Sequence, residues 1–84
     1  MRSICITFRS VTVAQRGERA LRSAGVDGTL QRTPRWMEER GCGYCLRLKP
    51  QDAARAAQLL RMAGVAFNKV LSTQEQGRAE ELTL

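Results

Sequence analysis

The sequence has 84 residues, of which 43% are hydrophobic and 26% are charged. This length fits one domain with a modest core, and this composition excludes a disordered or fibrous chain. Basic residues exceed acidic ones by 14 to 8, and they are spread along the chain instead of forming a polybasic tail. No apolar run approaches the roughly 20 residues of a membrane-spanning helix, and Arg9 follows too soon for a secretory signal. We therefore expect a cytoplasmic protein without a membrane segment.

The first predicted elements are a strand and a helix. Residues 3–8 alternate between large apolar and smaller side chains, which is typical of a strand with one face in the core. Ser10 is a favoured N-cap residue for a helix that runs to about residue 24, where Gly25 provides the stop. Gly17 lowers the helix propensity of this segment but permits close packing. The expected core face of the strand consists of Ile4, Ile6 and Phe8.

A weaker strand and a long connection follow. Residues 26–32 have few apolar positions, and Gly28 lowers their strand propensity. The connection over residues 33–41 has about nine residues, which exceeds the usual length between elements. Long connections often carry functional residues, so this segment is the first place to look for a site.

The second half predicts a strand, a helix and a strand. Residues 43–48 alternate, Pro50 and Asp52 suit the first turn of a helix, and Gly64 ends that helix. Residues 65–71 form the last predicted strand, and the polar residues that follow have no assigned structure. The third strand is expected to bury Tyr44, Leu46 and Leu48, and the helix Ala53, Ala56, Leu60 and Ala63.

This order, β-α-β-β-α-β, predicts an α+β fold of the ferredoxin-like type. It consists of a four-stranded antiparallel sheet with both helices on one face, and its first and third strands are neighbours. We expect residues 1–71 to form this domain and residues 72–84 to form a polar C-terminal tail. A pseudo-repeat supports the fold, because an Ala-Gly-Val triplet follows each helix at residues 24–26 and 63–65.

Cys42 is the principal candidate for chemistry. It lies between Gly41 and Gly43, which leave the thiol sterically uncovered, and Arg35 and Arg40 could stabilise a thiolate. A simpler interpretation is that Cys42 is a small residue at a tight strand entry. The residues alone leave both interpretations open.

The other two cysteines suggest further interpretations. Cys42 and Cys45 form a C-x-x-C pair, but the pair leads into a strand, so a disulfide would need a turn or bulge at Gly43. Cys5 and Cys45 both oppose the core face of their strands and are expected on the helix-free side of the sheet. There they are either packing residues or part of a homodimer interface. Three cysteines without histidine cannot supply the common tetrahedral zinc sets, and we expect neither a metal nor a cofactor.

The third strand also invites comparison with RNA-recognition domains of this topology. Residues 40–45 place glycines and Tyr44 in a similar order, but Cys42 and Cys5 stand where base-stacking aromatics are needed. The positive charge then favours only weak, nonspecific RNA binding. We expect no specific nucleic-acid partner.

Over about residues 3–71, the sequence resembles the small bacterial domains described as selenium/sulfur carrier proteins. The resemblance is carried by Thr33-Pro34-Arg35 and by Cys42-Gly43 at the start of a strand. It implies that Cys42 holds sulfur or selenium as a persulfide or perselenide. It also implies a donor protein, such as a cysteine desulfurase, and an acceptor protein. Thr33 and Pro34 follow as loop elements, and Arg35 as a contact for an anion or thiolate.

We therefore predict a chalcogen carrier and not a self-sufficient enzyme. The sequence has no histidine, no nucleophile elbow and no glycine-rich phosphate loop. The rival prediction is a non-catalytic module that dimerises or binds a regulatory partner through the helix-free face of the sheet.

Overall fold

The computed structural model describes residues 3–32, 43–73 and 79–82. A short 3₁₀ turn over Pro50–Asp52 precedes the second helix. The strands are β1 (Ser3–Thr7), β2 (Thr29–Arg32), β3 (Tyr44–Leu48), β4 (Val70–Thr73) and β5 (Ala79–Leu82), and the helices are α1 (Val11–Ser23) and α2 (Ala53–Met62).

The sheet is antiparallel throughout and has the strand order β2-β3-β1-β4-β5. Its first four strands and the two helices confirm the predicted ferredoxin-like α+β fold. The fifth strand was not predicted from the sequence. It pairs with β4 from Val70 opposite Leu82 to Thr73 opposite Ala79. Its sequence, Ala-Glu-Glu-Leu, has low strand propensity, so the backbone pairing with β4 determines its conformation more than its side chains do.

The main core lies between the helices and one face of the sheet. Gly17 allows α1 to approach this core closely, because a Cβ there would lie 3.1 Å from Cζ of Phe8 and 3.2 Å from Cδ2 of Leu60. This agrees with the predicted role of Gly17. Of the residues expected to face this core, Tyr44 is only half-buried and Ala63 is exposed at the end of α2. The buried cluster includes Ile4, Ile6, Phe8, Ala14, Leu21, Leu46, Leu48, Ala53, Ala56 and Leu60.

The two Ala-Gly-Val triplets form the same helix-ending structure. After α1, the amide of Gly25 donates to the carbonyl of Arg22, and the amide of Val26 donates to the carbonyl of Leu21. The corresponding bonds after α2 run from residues 64 and 65 to the carbonyls of residues 61 and 60. The glycines have φ values of +79° and +72°, as Schellman caps require. The sequence repeat is therefore a structural repeat.

The strands after these caps begin later than predicted. The second strand was predicted from residue 26 and begins at Thr29, and the last was predicted over residues 65–71 and is found at Val70–Thr73. The reason is that the valine of each triplet is buried at the helix end, and the chain needs several residues to cross from the helix layer to the sheet.

After α2, the chain returns to the sheet beside Thr7, the last residue of β1, and β4 begins directly afterwards. The Thr7 amide donates to the carbonyl of Lys69 at 2.9 Å, and the Asn68 amide donates to the carbonyl of Thr7 at 2.8 Å. The Lys69 amide donates to Oγ1 of Thr7 at 3.0 Å. Thr7 is fully buried, and these bonds satisfy its polar groups.

No helix in the described part of the chain has the length and apolar character needed to cross a membrane.

We predict that Gly25→Ala and Gly64→Ala each lower the free energy of unfolding by about 1 kcal/mol, because alanine is strained at positive φ. Both sites have open space around a Cβ, so steric clashes do not complicate the comparison. Urea denaturation measures both losses, with Gln15→Ala on the exposed face of α1 as the control. Unchanged stability in both variants would contradict the assignment of these caps.

Candidate functional site

The candidate site lies where the β2–β3 connection returns to the sheet. Arg32, the last residue of β2, is the register partner of Tyr44, the first residue of β3. The two ends of the connection are therefore adjacent. Gly43 precedes β3 with a φ of +84°, and a Cβ on it would meet no heavy atom within 4 Å. The extended strand therefore begins at Tyr44 and not at residue 43 as predicted. The alternation that would place Cys42 and Cys45 on opposite faces does not continue through Gly43.

Most of the predicted site lies outside the described residues. These positions are Cys42, its predicted neighbours Gly41, Arg35 and Arg40, and the loop residues Thr33 and Pro34. Gly43 and the two secondary thiols, Cys5 and Cys45, are described. The role of Cys42 therefore stays a prediction, and the structure contributes the framework to which this thiol is attached.

Three exposed cationic residues that we did not select from the sequence lie at this end of the sheet. Arg32 is directly opposite Tyr44, and Arg9 follows Thr7 by two residues. The main chain of Lys69 is hydrogen-bonded to Thr7, which is the register partner of Cys45. Only Arg32 had a signal in the sequence, because it ends the predicted second strand just before the long connection.

The secondary thiols form a buried pair on the helix-free face. Cys5 pairs with Arg47 in register and Cys45 pairs with Thr7, so the two cysteines are diagonal neighbours across β1 and β3. Neither forms a disulfide, their exposed fractions are 2% and 0%, and they cluster with Leu71. Diagonal positions have Cα atoms about 7–8 Å apart, which is too far for an unstrained disulfide. The arrangement favours two reduced thiols in contact.

The pKa of Cys5 is raised well above the ordinary value of a thiol. The main cause is the side-chain hydrogen bond with Cys45, followed by burial and by the Cys45 charge, while Arg47 acts in the opposite direction. The Nε of Arg47 donates to Oγ of Ser3 at 3.1 Å. Cys5 is therefore a protonated thiol in the folded protein, which makes it a poor nucleophile.

The helix-free face of the sheet is the surface that a homodimer interface or the stacking of RNA bases would use. Cys5 and Cys45 at its centre are almost completely buried within the single chain, which agrees with the interpretation of both as packing residues. None of its described side chains is aromatic, so the described part of this face has no platform for base stacking. The register places Ser3, Cys5, Thr7, Thr29, Gln31, Cys45, Arg47 and Leu71 on this face.

A pocket of about 650 Å³ lies around the other end of β3. It is lined by polar and charged residues that include Asp27, Thr29, Arg47 and Lys49, and by none of the predicted site residues that the structure describes. The described residues contain no group of three histidine, cysteine, aspartate or glutamate side chains that could hold a metal ion.

We predict that the Cys5 thiol makes folding less favourable at alkaline pH. Its folded pKa is raised, so above about pH 8.5, where unfolded thiols ionise, only the unfolded chain loses this proton. The free energy of unfolding should then fall by up to about 1.4 kcal/mol per pH unit. Urea denaturation at pH 7.5 to 10 measures the slope, which should be shallower in Cys5→Ala. Equal slopes in the two proteins would contradict this assignment.

Comparison with family models shows to which protein family the chain belongs. A family model described as "Putative Se/S carrier protein-like" matches residues 3–72, which extend from β1 to the penultimate residue of β4. Comparison with curated proteins and with solved structures gives no significant match. Because the family match covers well over half of the sequence, this chain belongs to the Se/S carrier protein-like family.

Proposed function

We propose that the protein is a sulfur or selenium carrier that holds a persulfide or perselenide on Cys42 and transfers it to a partner protein. The observation that carries the proposal is the difference among the cysteines within the family match. Cys5 and Cys45 are buried against each other, and the pKa of Cys5 is raised. Cys42 is joined to Gly43, which is only half-buried and has open space around it.

The proposed chemistry needs no cofactor. The Cys42 thiolate attacks the outer sulfur of a donor persulfide, the sulfur–sulfur bond of the donor breaks, and the donor keeps its inner sulfur as a thiolate. Cys42 then carries the outer sulfur in a new sulfur–sulfur bond, and the proton of the outer sulfur stays with it. A second nucleophile on an acceptor protein removes that sulfur in the same way. The number of sulfur–sulfur bonds is conserved, so no external oxidant is required.

The proposal includes the partners and the compartment. A cysteine desulfurase is a suitable donor because it generates a persulfide on its own cysteine. A second protein would accept the sulfur or selenium, so the carrier does not act as a self-sufficient enzyme. The cytoplasm is a suitable compartment, since its reducing systems keep thiols available for exchange.

We predict that incubation with a cysteine desulfurase and cysteine, without reductant, adds one sulfur atom to the wild-type protein. Intact-protein mass spectrometry should show the added mass, and dithiothreitol should remove it. Cys42→Ser should remain unmodified, whereas Cys45→Ala, the matched control, should be modified like wild type. Persulfide formation on Cys42→Ser, or none on wild type, would rule out carriage by Cys42.

A second measurement distinguishes the carrier from a non-catalytic interaction module. In the folded protein, iodoacetamide should alkylate Cys42 about tenfold faster, or more, than Cys5 and Cys45, because thiol reactivity depends on exposure and thiolate fraction. In denaturant the three rates should converge, which is the internal control. Peptide mapping after timed quenching measures each site. Three similar, slow rates in the folded protein would favour the interaction module.

A further inference from the structure

We propose that the pocket of about 650 Å³ at the far end of β3 binds a small zwitterion that has more carboxylate than ammonium groups. An acidic amino acid and a short acidic peptide both have this chemistry. The pocket is separate from the candidate carrier site, because Lys49 at the pocket is more than about 15 Å from Gly43 at the other end of β3. Binding here is therefore independent of the proposed carrier function.

Arg47 supplies the principal cation of the pocket. It lies on the helix-free face of the sheet, opposite Cys5 of β1 and Thr29 of β2. Its Nε donates to Oγ of Ser3 at 3.1 Å, which orients the guanidinium group. The terminal nitrogens of an arginine bind a carboxylate through two parallel hydrogen bonds. Within the described ranges no carboxylate forms an ion pair with Arg47, so these donors remain available to a ligand.

Two further charged residues line the same pocket. Gly28 lies against Leu48, because a Cβ on Gly28 would be 3.0 Å from Cδ2 of Leu48, so the chain already follows β3 before β2 begins. Asp27 and Lys49 are the next residues beyond this contact, and both line the pocket. Both are exposed, and neither forms an ion pair with another described residue. The pocket therefore presents two cations and one carboxylate that are not paired with one another.

The signs of these charges determine the class of ligand. Arg47 and Lys49 attract carboxylates and phosphates, and a guanidinium group binds either in a bidentate manner. Asp27 repels a compact, multiply charged anion such as phosphate, because its negative charge lines the same pocket. A ligand that also has an ammonium group gains a partner at Asp27 instead. Two carboxylates and one ammonium group complement all three charges.

The rest of the pocket suits a small polar molecule. Thr29 and Gln31 lie on β2 and offer a hydroxyl and an amide group for hydrogen bonds. The volume of about 650 Å³ is within the range of about 300–1,000 Å³ that is typical of small-molecule sites. The pocket can therefore hold a single amino acid or a short peptide.

The first test is a titration of the full chain, followed by NMR spectroscopy of the backbone amides, which locates binding by residue. L-Glutamate has two carboxylates and one ammonium group, glutarate lacks the ammonium group, and L-alanine lacks the second carboxylate. Inorganic phosphate tests for a simple anion site. We predict that L-glutamate shifts the amide signals of Thr29, Arg47 and Lys49, and that it binds about fivefold more tightly than each of the other three compounds.

We predict that Arg47→Gln and Asp27→Asn each weaken L-glutamate binding about fivefold, because each removes one charged partner of the ligand. Asp27→Asn should also abolish the preference for L-glutamate over glutarate. It makes the protein more positive, so nonspecific attraction would instead strengthen the binding of this net anion. Arg16→Gln is the matched control for Arg47→Gln, since it removes an exposed arginine on α1 that does not line the pocket, and it should leave the affinity unchanged.

Thermal unfolding establishes that each variant is folded, and the comparison of the four compounds on the wild-type protein needs no variant. The absence of saturable shifts at the pocket with L-glutamate would overturn the proposal. Equal affinity for glutarate or phosphate would also overturn it, because it would indicate a simple anion site, as would equal effects of Arg16→Gln and Arg47→Gln. The dipeptide alanyl-glutamate distinguishes the two sources of the ligand, since tighter binding than L-glutamate indicates a peptide and weaker binding indicates a free amino acid.

Discussion

The antiparallel pairing of β1 with β3 determines which side chains each face of the sheet presents. It places Ile4 opposite Leu48 and Ile6 opposite Leu46, so both strands present their large apolar side chains to the helices. The same register brings Cys5 beside Cys45 on the other face. A shift of one residue would exchange the two faces and remove the core and the thiol pair together. Core packing and thiol chemistry are therefore not independent in this chain.

The helix caps explain how the two halves of the chain reach this sheet. Each helix ends at a glycine with positive φ, and each following valine turns back into the core through a bond to a leucine carbonyl one turn earlier. After the second cap the chain arrives at Thr7 with residues 68 and 69, which places a lysine near the start of β3. Local backbone geometry at Gly64 therefore helps to determine the charge near the candidate site.

Much of the fold could be predicted from the sequence, because its signals are local. Alternation in residues 3–8 and 43–48, the Ser10 N-cap and the two helix-stop glycines each depend on a few neighbouring residues, and Ser10 indeed accepts a bond from the amide of Val13. The starts of β2 and β4 could not be predicted in this way. They depend on how far the chain travels between layers, which is a property of the packed core. The short β5 had no signal because its conformation comes from pairing with β4.

The candidate site could be predicted only in part, and for a similar reason. The Cys-Gly pair is a local pattern that the sequence displays directly, whereas the positions of Arg9, Arg32 and Lys69 relative to it depend on strand pairing. The burial of Cys5 and Cys45 could not be predicted from the sequence either. Alternation places both cysteines on the helix-free face but does not show that this face is covered.

The burial of Cys5 and Cys45 has a chemical consequence for a chain with three thiols. A carrier with several equally reactive cysteines would oxidise to disulfides or distribute its cargo among sites. Here Cys5 and Cys45 are both buried in one cluster, and the hydrogen bond with Cys45 raises the pKa of Cys5, which removes this pair from competition. In the proposed carrier, selectivity among the cysteines then requires only that Cys42 be more accessible than this pair.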